Sequence, residues 1–511
     1  MILAERKLIS PYYSAKLFCG ATFILYSFIA AIAMIRHEPW GDEVHSWNIA
    51  KGSGSFLELI ANTRYEGHPP LWYSILWAIS KFSHDFTYVQ TVHLIIAISS
   101  VFIIIFLSPF SLTTRLLMPF GYYFLFEYAV ISRNYAVGVF LGLCLCVVIR
   151  KSSRFKTALY YLLLFLMTNS HLLAILLGAS LHLYFLMIHW EQKKNIWVTI
   201  LHGFLGLIVA LPALYFIFPP SDSQLNATFW INRWSYHNVT AFIQAPLFAF
   251  IPIPAWWHYN SWNTQFLIEA KTALNIFKVI NLLVAIAILL LVTSIFRRNK
   301  KALSVFSGNL LLSFIVAVAI FPMTAERYAG FLFIGFIVAY WLYASETILS
   351  QRNNQLVNGL LIIQLLGCVF IVPKDLSQPF SNAYRVNELL DEVPARERIV
   401  TDYWAMNTIS TFTDKAFYCI DLQKSISFIQ WNSDLGRMHS RQHRYAEGVN
   451  TYFRANGVNQ VYMISTGSPS ILLKVDSQLF KSYQVSLFDR REGAIEKGGN
   501  LYLYKIASYA K

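Results

Sequence analysis

The chain has 511 residues, 56% of them from the apolar set AVILMFWYC and only 13% charged. Soluble domains carry about 25% charged residues, so too few remain here to cover a globular surface. The apolar residues instead fall in repeated runs of roughly 15 to 23, the length that crosses about 30 Å of hydrocarbon at 1.5 Å per residue. Composition excludes a disordered chain, a coiled coil, a disulfide-rich secreted domain and a cytosolic enzyme, and predicts a polytopic helical membrane protein. Net charge is +14. From Asp375 onward 16 basic side chains stand against 14 acidic ones, so the excess lies between the apolar runs of the first 374 residues. That is the positive-inside pattern and not a nucleic-acid footprint, and no nucleic-acid partner is expected. Of the five cysteines only Cys419 lies in the polar tail, which leaves no disulfide framework outside the membrane. The N-terminus lacks a signal-peptide cleavage pattern, and Arg6, Lys7 and Lys16 precede an apolar run that reads as a retained first span.

In chain order, about 11 spans are predicted, at 17–35, 88–107, 114–131, 136–149, 158–175, 176–190, 197–217, 274–296, 303–320, 328–346 and 355–373. With the N-terminus cytoplasmic, this set places Arg150-Lys151-Ser-Ser-Arg154-Phe-Lys156, Glu191-Gln-Lys193-Lys194 and Arg297-Arg298-Asn-Lys300-Lys301 all inside. Counting Pro69–Phe82 as a span would invert all three. That stretch, aromatic and opened by two prolines, is therefore expected as an interfacial helix on the outer leaflet.

Three regions then face outward: 36–87, 219–272 and the tail from 374. The middle loop holds Trp230, Trp234, Trp256, Trp257 and Trp262, a density suited to the headgroup level. In the tail, β-like runs at 398–402, 417–420, 460–464 and 500–506 alternate with helical stretches such as 441–456, which Asn456-Gly457 should stop. The expected organisation is a mainly α membrane bundle over 1–373 followed by a non-cytoplasmic, soluble α/β domain over 374–511.

Four constellations gather chemistry at the outer face. Glu38-Pro-Trp-Gly41-Asp42-Glu43-Val-His45-Ser-Trp47 sets two carboxylates at the membrane surface, where one can serve as general base; an ordinary solvated turn explains most such pairs. Arg64-Tyr65-Glu66-Gly67-His68-Pro69-Pro70-Leu-Trp72-Tyr73 reads either as a helix-start turn or as a rigid holder for His68 and Arg64. Glu127-Tyr128-Ala-Val-Ile-Ser132-Arg133-Asn134-Tyr135 places charge in apolar sequence, by snorkelling or for function. In Pro322-Met-Thr-Ala-Glu326-Arg327-Tyr328, an outward arginine offers a fork suited to a lipid phosphate.

This combination resembles the membrane-embedded glycosyltransferases of the C superfamily (GT-C), in the protein O-mannosyltransferase, aminoarabinose transferase and lipopolysaccharide-core (Rgt-like) branches. The resemblance rests on Asp42-Glu43, on Gly67-His68-Pro69-Pro70-Leu71-Trp72-Tyr73, on Ser132-Arg133-Asn134-Tyr135 and on Glu326-Arg327-Tyr328, and covers about 370 residues. It implies an inverting transferase that takes a sugar from a polyprenyl-phosphate carrier to a lipid-, glycan- or protein-borne acceptor on the outer face, in a bacterial inner membrane. Asp42 inherits the role of base, with Glu43 as a supporting or alternative carboxylate. Substrate-binding positions are His45, Arg64, Glu66, His68, Tyr73, Arg133, Tyr135, Arg327 and Tyr328. Some relatives carry lysine where this chain has His68, so phosphate binding passes to Arg64 or Arg327 if the imidazole is neutral.

No cofactor is required by this scheme. A divalent metal on Glu43, His45, Glu66 and His68 is chemically adequate but lacks compact ligand spacing. Competing classes are a lipid-linked glycan ligase or polymerase, a transporter or lipid flippase with midplane charges and a repeat, and a membrane scaffold whose tail binds a partner. Asn226-Ala-Thr228 and Asn238-Val-Thr240 match the N-glycosylation pattern, which three residues reach by chance.

Overall fold

The computed structural model of the chain describes residues 11–150, 155–223, 236–270, 276–321, 323–413, 415–439, 441 and 443–509. Arg6, Lys7, Lys151, Arg154, Trp230, Trp234, the Asn226 sequon and Pro322 lie outside the described residues.

Among the described residues, eight helices are long and apolar enough to cross a membrane. They are α1 (Pro11–Arg36), α5 (Thr87–Phe102, prolonged by a π turn to Leu107), α9 (Leu172–Lys193), α10 (Ile196–Ile217), α12 (Ile276–Phe296), α13 (Lys300–Ala319), α14 (Glu326–Glu346) and α15 (Gln351–Ser377). Short polar residues between apolar runs start three of them. Asn195, Asn299 and Ser350 each accept a backbone N–H from the first turn of α10, α13 and α15.

Eleven equivalent spans are not what forms. The expected 114–131 span is broken into α6 (Leu112–Leu117), a 3-10 turn at Met118–Phe120 and a π turn at Tyr123–Glu127. Pro119 brings no N–H to a helical ladder, and Gly121 is extended at ψ 153°. The 136–149 span is the 16-residue α7 (Tyr135–Arg150). The 158–175 span shortens to α8 (Lys156–Thr168), because Asn169-Ser170-His171 ends it and His171 caps α9 through Ala174 N–H.

The two ends of the bundle differ in charge. At one end Lys301 reaches Glu191 at 2.8 Å and Glu346 at 2.9 Å, gathering the basic segments 191–194 and 297–301 around the ends of α9, α13 and α14. At the other end α14 begins with Glu326-Arg327, roughly 30 Å away at 1.5 Å per residue over 21 residues.

Between α1 and α5 lie α2 (Gly41–Gly52), α3 (Phe56–Thr63) and α4 (Leu71–Ser80). Ten residues reach only about 15 Å, so α4 is a short juxtamembrane helix, with Trp72, Tyr73 and Leu76 buried. The middle segment is less of a loop than the sequence suggests. Within it α11 (Tyr236–Phe250) packs inside the bundle, where Tyr123 hydroxyl donates to Phe248 O at 2.7 Å and Gln364 to Ala249 O at 2.8 Å. Trp262 is buried, whereas Trp256 and Trp257 are about half exposed.

The tail forms a six-stranded sheet in the order β3-β2-β1-β4-β6-β5. The strands are β1 (Ile399–Thr401), β2 (Phe417–Cys419), β3 (Lys424–Ile426), β4 (Gln460–Ser465), β5 (Tyr483–Arg491) and β6 (Leu501–Ser508). β1 runs parallel to β2 and β4; the other pairs are antiparallel. Helices α16 (Tyr403–Thr413) and α17 (Arg444–Asn456) pack on it, and Gly457 ends α17 at φ 63°, a conformation glycine adopts without strain. Four strands fall where the sequence places them. β3 and β5 were not expected: β5 is largely exposed and carries Asp489-Arg490-Arg491, so it lacks an apolar signature.

The tail docks on the membrane part through α2 and α16. Asn48 donates to Asn407 O at 2.7 Å and accepts from Thr411 hydroxyl at 3.0 Å, all three buried. Asn48→Ala should therefore destabilise the docked tail by roughly 1–3 kcal/mol, read as faster limited proteolysis of residues beyond 377. Unchanged proteolysis would place the docking energy elsewhere.

Candidate active site

A cavity of about 380 Å³ opens at the end of the bundle opposite the basic loops, and Asp42, His45, Glu66, His68, Arg133, Tyr135, His171, Tyr328 and Trp431 line it with Leu172, Leu173 and Phe321. Five helices begin at or beside it: α2 at Gly41, α4 at Leu71, α7 at Tyr135, α9 at Leu172 and α14 at Glu326. Helix starts carry unpaired N–H groups and the positive end of the helix dipole, so their convergence favours an anion. A second cavity of about 260 Å³ shares Asp42, His45 and Trp431 with the first and is otherwise walled mainly by the C-terminal domain.

Asp42 stands where the two meet, with 41% of its side chain exposed. Its Oδ2 lies 3.6 Å from Arg133 Nη2 and 4.0 Å from Arg327 Nη2. Burial works to raise its carboxyl, but Arg133 and then Arg327 outweigh it and hold the group below the ordinary aspartate value. The Nε atoms of both arginines are buried without a hydrogen-bond partner, as is His68 Nδ1.

Each charged group has its own support. Arg133 donates to Asp42 O and, at 3.4 Å, to Ser46 hydroxyl. Arg327 lies over Tyr328, Trp40 and Trp262, at 4.7, 5.1 and 5.7 Å from the ring centres, an aromatic seat for a cation. His45 Nε2 pairs with Glu66 at 2.8 Å, and Tyr73 hydroxyl donates to the same carboxylate oxygen at 3.1 Å. Burial would lower the His45 imidazole, but Glu66 raises it above its ordinary value. His68 goes the other way: burial first, then Arg133, pushes it down to about 3, so it is neutral near pH 7. Gly67 sits at φ 65°, the turn that lets Pro69 and Pro70 lead into α4.

Glu43 points away from the cavity. Its Oε1 accepts from Ser132 N–H at 2.6 Å, and its Oε2 from Trp40 N–H at 3.0 Å and from His37 at 3.3 Å. The other His37 nitrogen lies 3.2 Å from Asp375 at the end of α15. Glu43 thus ties the residue next to Asp42 to the residue next to Arg133, through an imidazole shared with a third element.

Of the eleven site residues expected from sequence, Asp42, His45, Glu66, His68, Arg133, Tyr135 and Tyr328 line the first cavity, and Arg327 reaches Asp42 from beside it. Tyr73 and Glu43 support from behind. Arg64 is elsewhere: it donates to Tyr215 O and to Phe218 O and lies 3.6 Å above the Tyr215 ring, clamping the end of α10. Sequence reasoning missed His171, Trp431 and the His37–Asp375 pair. An imidazole in the apolar run after Asn169-Ser170 was the available signal for His171; nothing local marks Trp431. Among the described residues no group of three or more His, Cys, Asp or Glu could hold a metal ion, and Glu43 bonds His37 and Ser132 rather than joining His45, Glu66 and His68.

Fold and site define a multi-pass membrane helix bundle with a charged cavity capped by an α/β domain. No protein-family model and no curated protein matches the chain. Among solved structures it is similar to ArnT from Cupriavidus metallidurans bound to undecaprenyl phosphate, at 13% identity over 98% of this chain and 99% of that one, with a TM-score of 0.47. It is also similar to ArnT from the same organism in the apo state, at 13% identity over 94% and 97% of the two chains, with a TM-score of 0.44.

Burial alone would lower His37, but Asp375 and Glu43 lift it to about 10 from 6.5. The stabilisation it brings is therefore complete below about pH 6.5 and is lost as pH rises through about 10. His37→Gln leaves two buried carboxylates uncompensated and should cost about 3–5 kcal/mol at pH 6. Thermal melting in detergent should show this gap closing between pH 7 and pH 10; a gap independent of pH would mean that the imidazole is uncharged.

Proposed function

We propose that the chain is an inverting glycosyltransferase that moves a sugar from a polyprenyl-phosphate carrier to an acceptor at the outer face of a bacterial inner membrane. The observation that carries this reading is a half-exposed carboxylate held by two guanidinium groups where two cavities meet and helix starts converge. Carboxylate, cations and dipoles are the parts a one-step displacement at a sugar phosphate needs. The outward orientation is supported by the basic segments 191–194 and 297–301, which lie at the opposite end of the bundle and favour the cytoplasm.

The donor phosphate enters the first cavity, whose Leu172, Leu173 and Phe321 suit the first units of a lipid carrier. Its oxygens take the place of Asp42 against the Nη groups of Arg133 and Arg327. Asp42 then loses the partners that hold its carboxyl low, which makes it a stronger base. The acceptor oxygen or nitrogen attacks the anomeric carbon as the bond from that carbon to the phosphate oxygen breaks. Asp42 takes the acceptor proton, and the polyprenyl phosphate leaves as an anion neutralised by the two arginines. No covalent intermediate on the enzyme is required, and His68, being neutral, contributes a hydrogen bond and no charge. A transporter would place its ionisable groups near the bilayer midplane, whereas Asp42, Arg133 and Arg327 lie at helix starts.

Asp42→Asn should abolish transfer of a polyprenyl-phosphate sugar while leaving binding of the carrier intact; near-normal turnover would remove Asp42 from the mechanism. Arg327→Ala should weaken carrier binding and reduce turnover by about 10²- to 10³-fold, the size seen when one such stabilising group is removed. Unchanged binding and turnover would reject its phosphate role.

A further inference from the structure

The second cavity lies at a place in the C-terminal domain that sheet topology singles out. β1 has β2 on one side and β4 on the other, all three parallel, so the connections leaving β1 and β4 diverge. Such a switch point, at the carboxyl ends of parallel strands, is where open α/β sheets bind ligands. Here Tyr403 and Trp404 follow β1, Thr466 follows β4, and all three line the cavity.

In many such sheets a phosphate occupies the start of the first helix. That position is already taken. Tyr403 N–H, which opens α16, donates to Asp421 at 2.8 Å, Ala405 N–H donates to Asp402 at 2.8 Å, and Ser465 hydroxyl donates to the other Asp402 oxygen. The chain's own carboxylates have consumed the donors, and Glu496 and Asp42 add two more acidic groups to the cavity wall. This acidic wall, with the donors that open α16 already spent, disfavours a phosphorylated ligand.

What the cavity offers instead is aromatic surface with a polar rim. Trp404 is 53% exposed, with its ring edge-on to Tyr403 at 4.8 Å. Trp431 lies edge-on to the same tyrosine, with its indole nitrogen 3.3 Å from His45 Nε2, which sets its plane beside Asp42. Thr408, Thr466 and Glu496 supply the rim, and Glu496 Oε2 is anchored by Gly498 N–H at 2.7 Å. Burial lifts Glu496 to about 7, so near neutral pH it can donate or accept a hydrogen bond. A sugar ring has the complementary surface, with C–H faces for the indoles and hydroxyls around its edge. About 260 Å³ is just under the range of roughly 300–1,000 Å³ for small-molecule sites, room for about one ring and too little for a folded segment.

We propose that this cavity is the acceptor subsite and takes a neutral, unphosphorylated sugar, stacked on Trp404 and Trp431 and hydrogen-bonded by Glu496. The C-terminal domain would then set acceptor choice while the membrane part holds the donor. The inference rests on the glycosyl-transfer reading, since it is Asp42, shared by both cavities, that a hydroxyl of the bound ring approaches.

The test is saturation-transfer NMR on the full chain in detergent, with a panel of neutral hexoses and their disaccharides, the matching sugar phosphates and a serine- and threonine-rich peptide. At least one neutral sugar should bind saturably, at least tenfold more weakly in Trp404→Ala and in Glu496→Gln, with its ring protons showing the strongest transfer. Matching sugar phosphates should bind at least tenfold more weakly than the neutral form. Absence of a Trp404-dependent signal from every neutral sugar would overturn the proposal, as would equal binding of the phosphates or displacement by the peptide. Polyprenyl-phosphate binding, measured on the same preparation, reports separately on the donor. If it fails while sugar binding persists, transfer from a lipid carrier is rejected and the sugar site stands; the reverse result rejects the acceptor subsite alone.

Discussion

The structure turns on the pairing of Asp42 with Arg133 and Arg327 at the surface of a membrane bundle. Two guanidinium groups in a mostly apolar setting carry a desolvation cost of several kcal/mol each, offset only by good partners. Asp42 is one partner, the Asp42 carbonyl and Ser46 hold Arg133, and an aromatic seat holds Arg327. Those arrangements still leave an Nε on each arginine unused. The cations and the helix starts around them are what would receive an anion here.

The adjacent carboxylates Asp42 and Glu43 have different surroundings. Asp42 faces the hollow, while Glu43, one step round the helix, is buried among His37, Trp40 and Ser132. Through those contacts Glu43 fixes the distance between the start of α2 and the start of α7, and hence between Asp42 and Arg133. His37 carries the same constraint to Asp375 and the end of α15. The geometry of the charged cluster is thus referenced to three elements that lie far apart in the chain.

The membrane spans were legible because apolar length is a local property, and the exceptions are where local chemistry breaks a run: Pro119 with Gly121, and Asn169 to His171. The four site motifs were legible for a related reason. Each is a helix start, rich in Gly, Pro, Ser, Asn and charge, and helix starts at one end of a bundle face the same space. Arg64 misled because its partners, Tyr215 and Phe218, are contributed by a helix about 150 residues later. Trp431, Glu496 and the His37–Asp375 pair were invisible because their meaning arises only when the tail folds over α2. No spacing in the sequence announces a contact across more than 300 residues.

Function at this cluster depends on where a lipid phosphate settles. A structure determined with a polyprenyl phosphate bound tests this most directly. The expected result places the phosphate oxygens against both Arg133 and Arg327, with the Asp42 carboxylate released from them and turned toward the cavity it shares with the C-terminal domain. A phosphate held elsewhere, with the Asp42–Arg133–Arg327 cluster undisturbed, would contradict it.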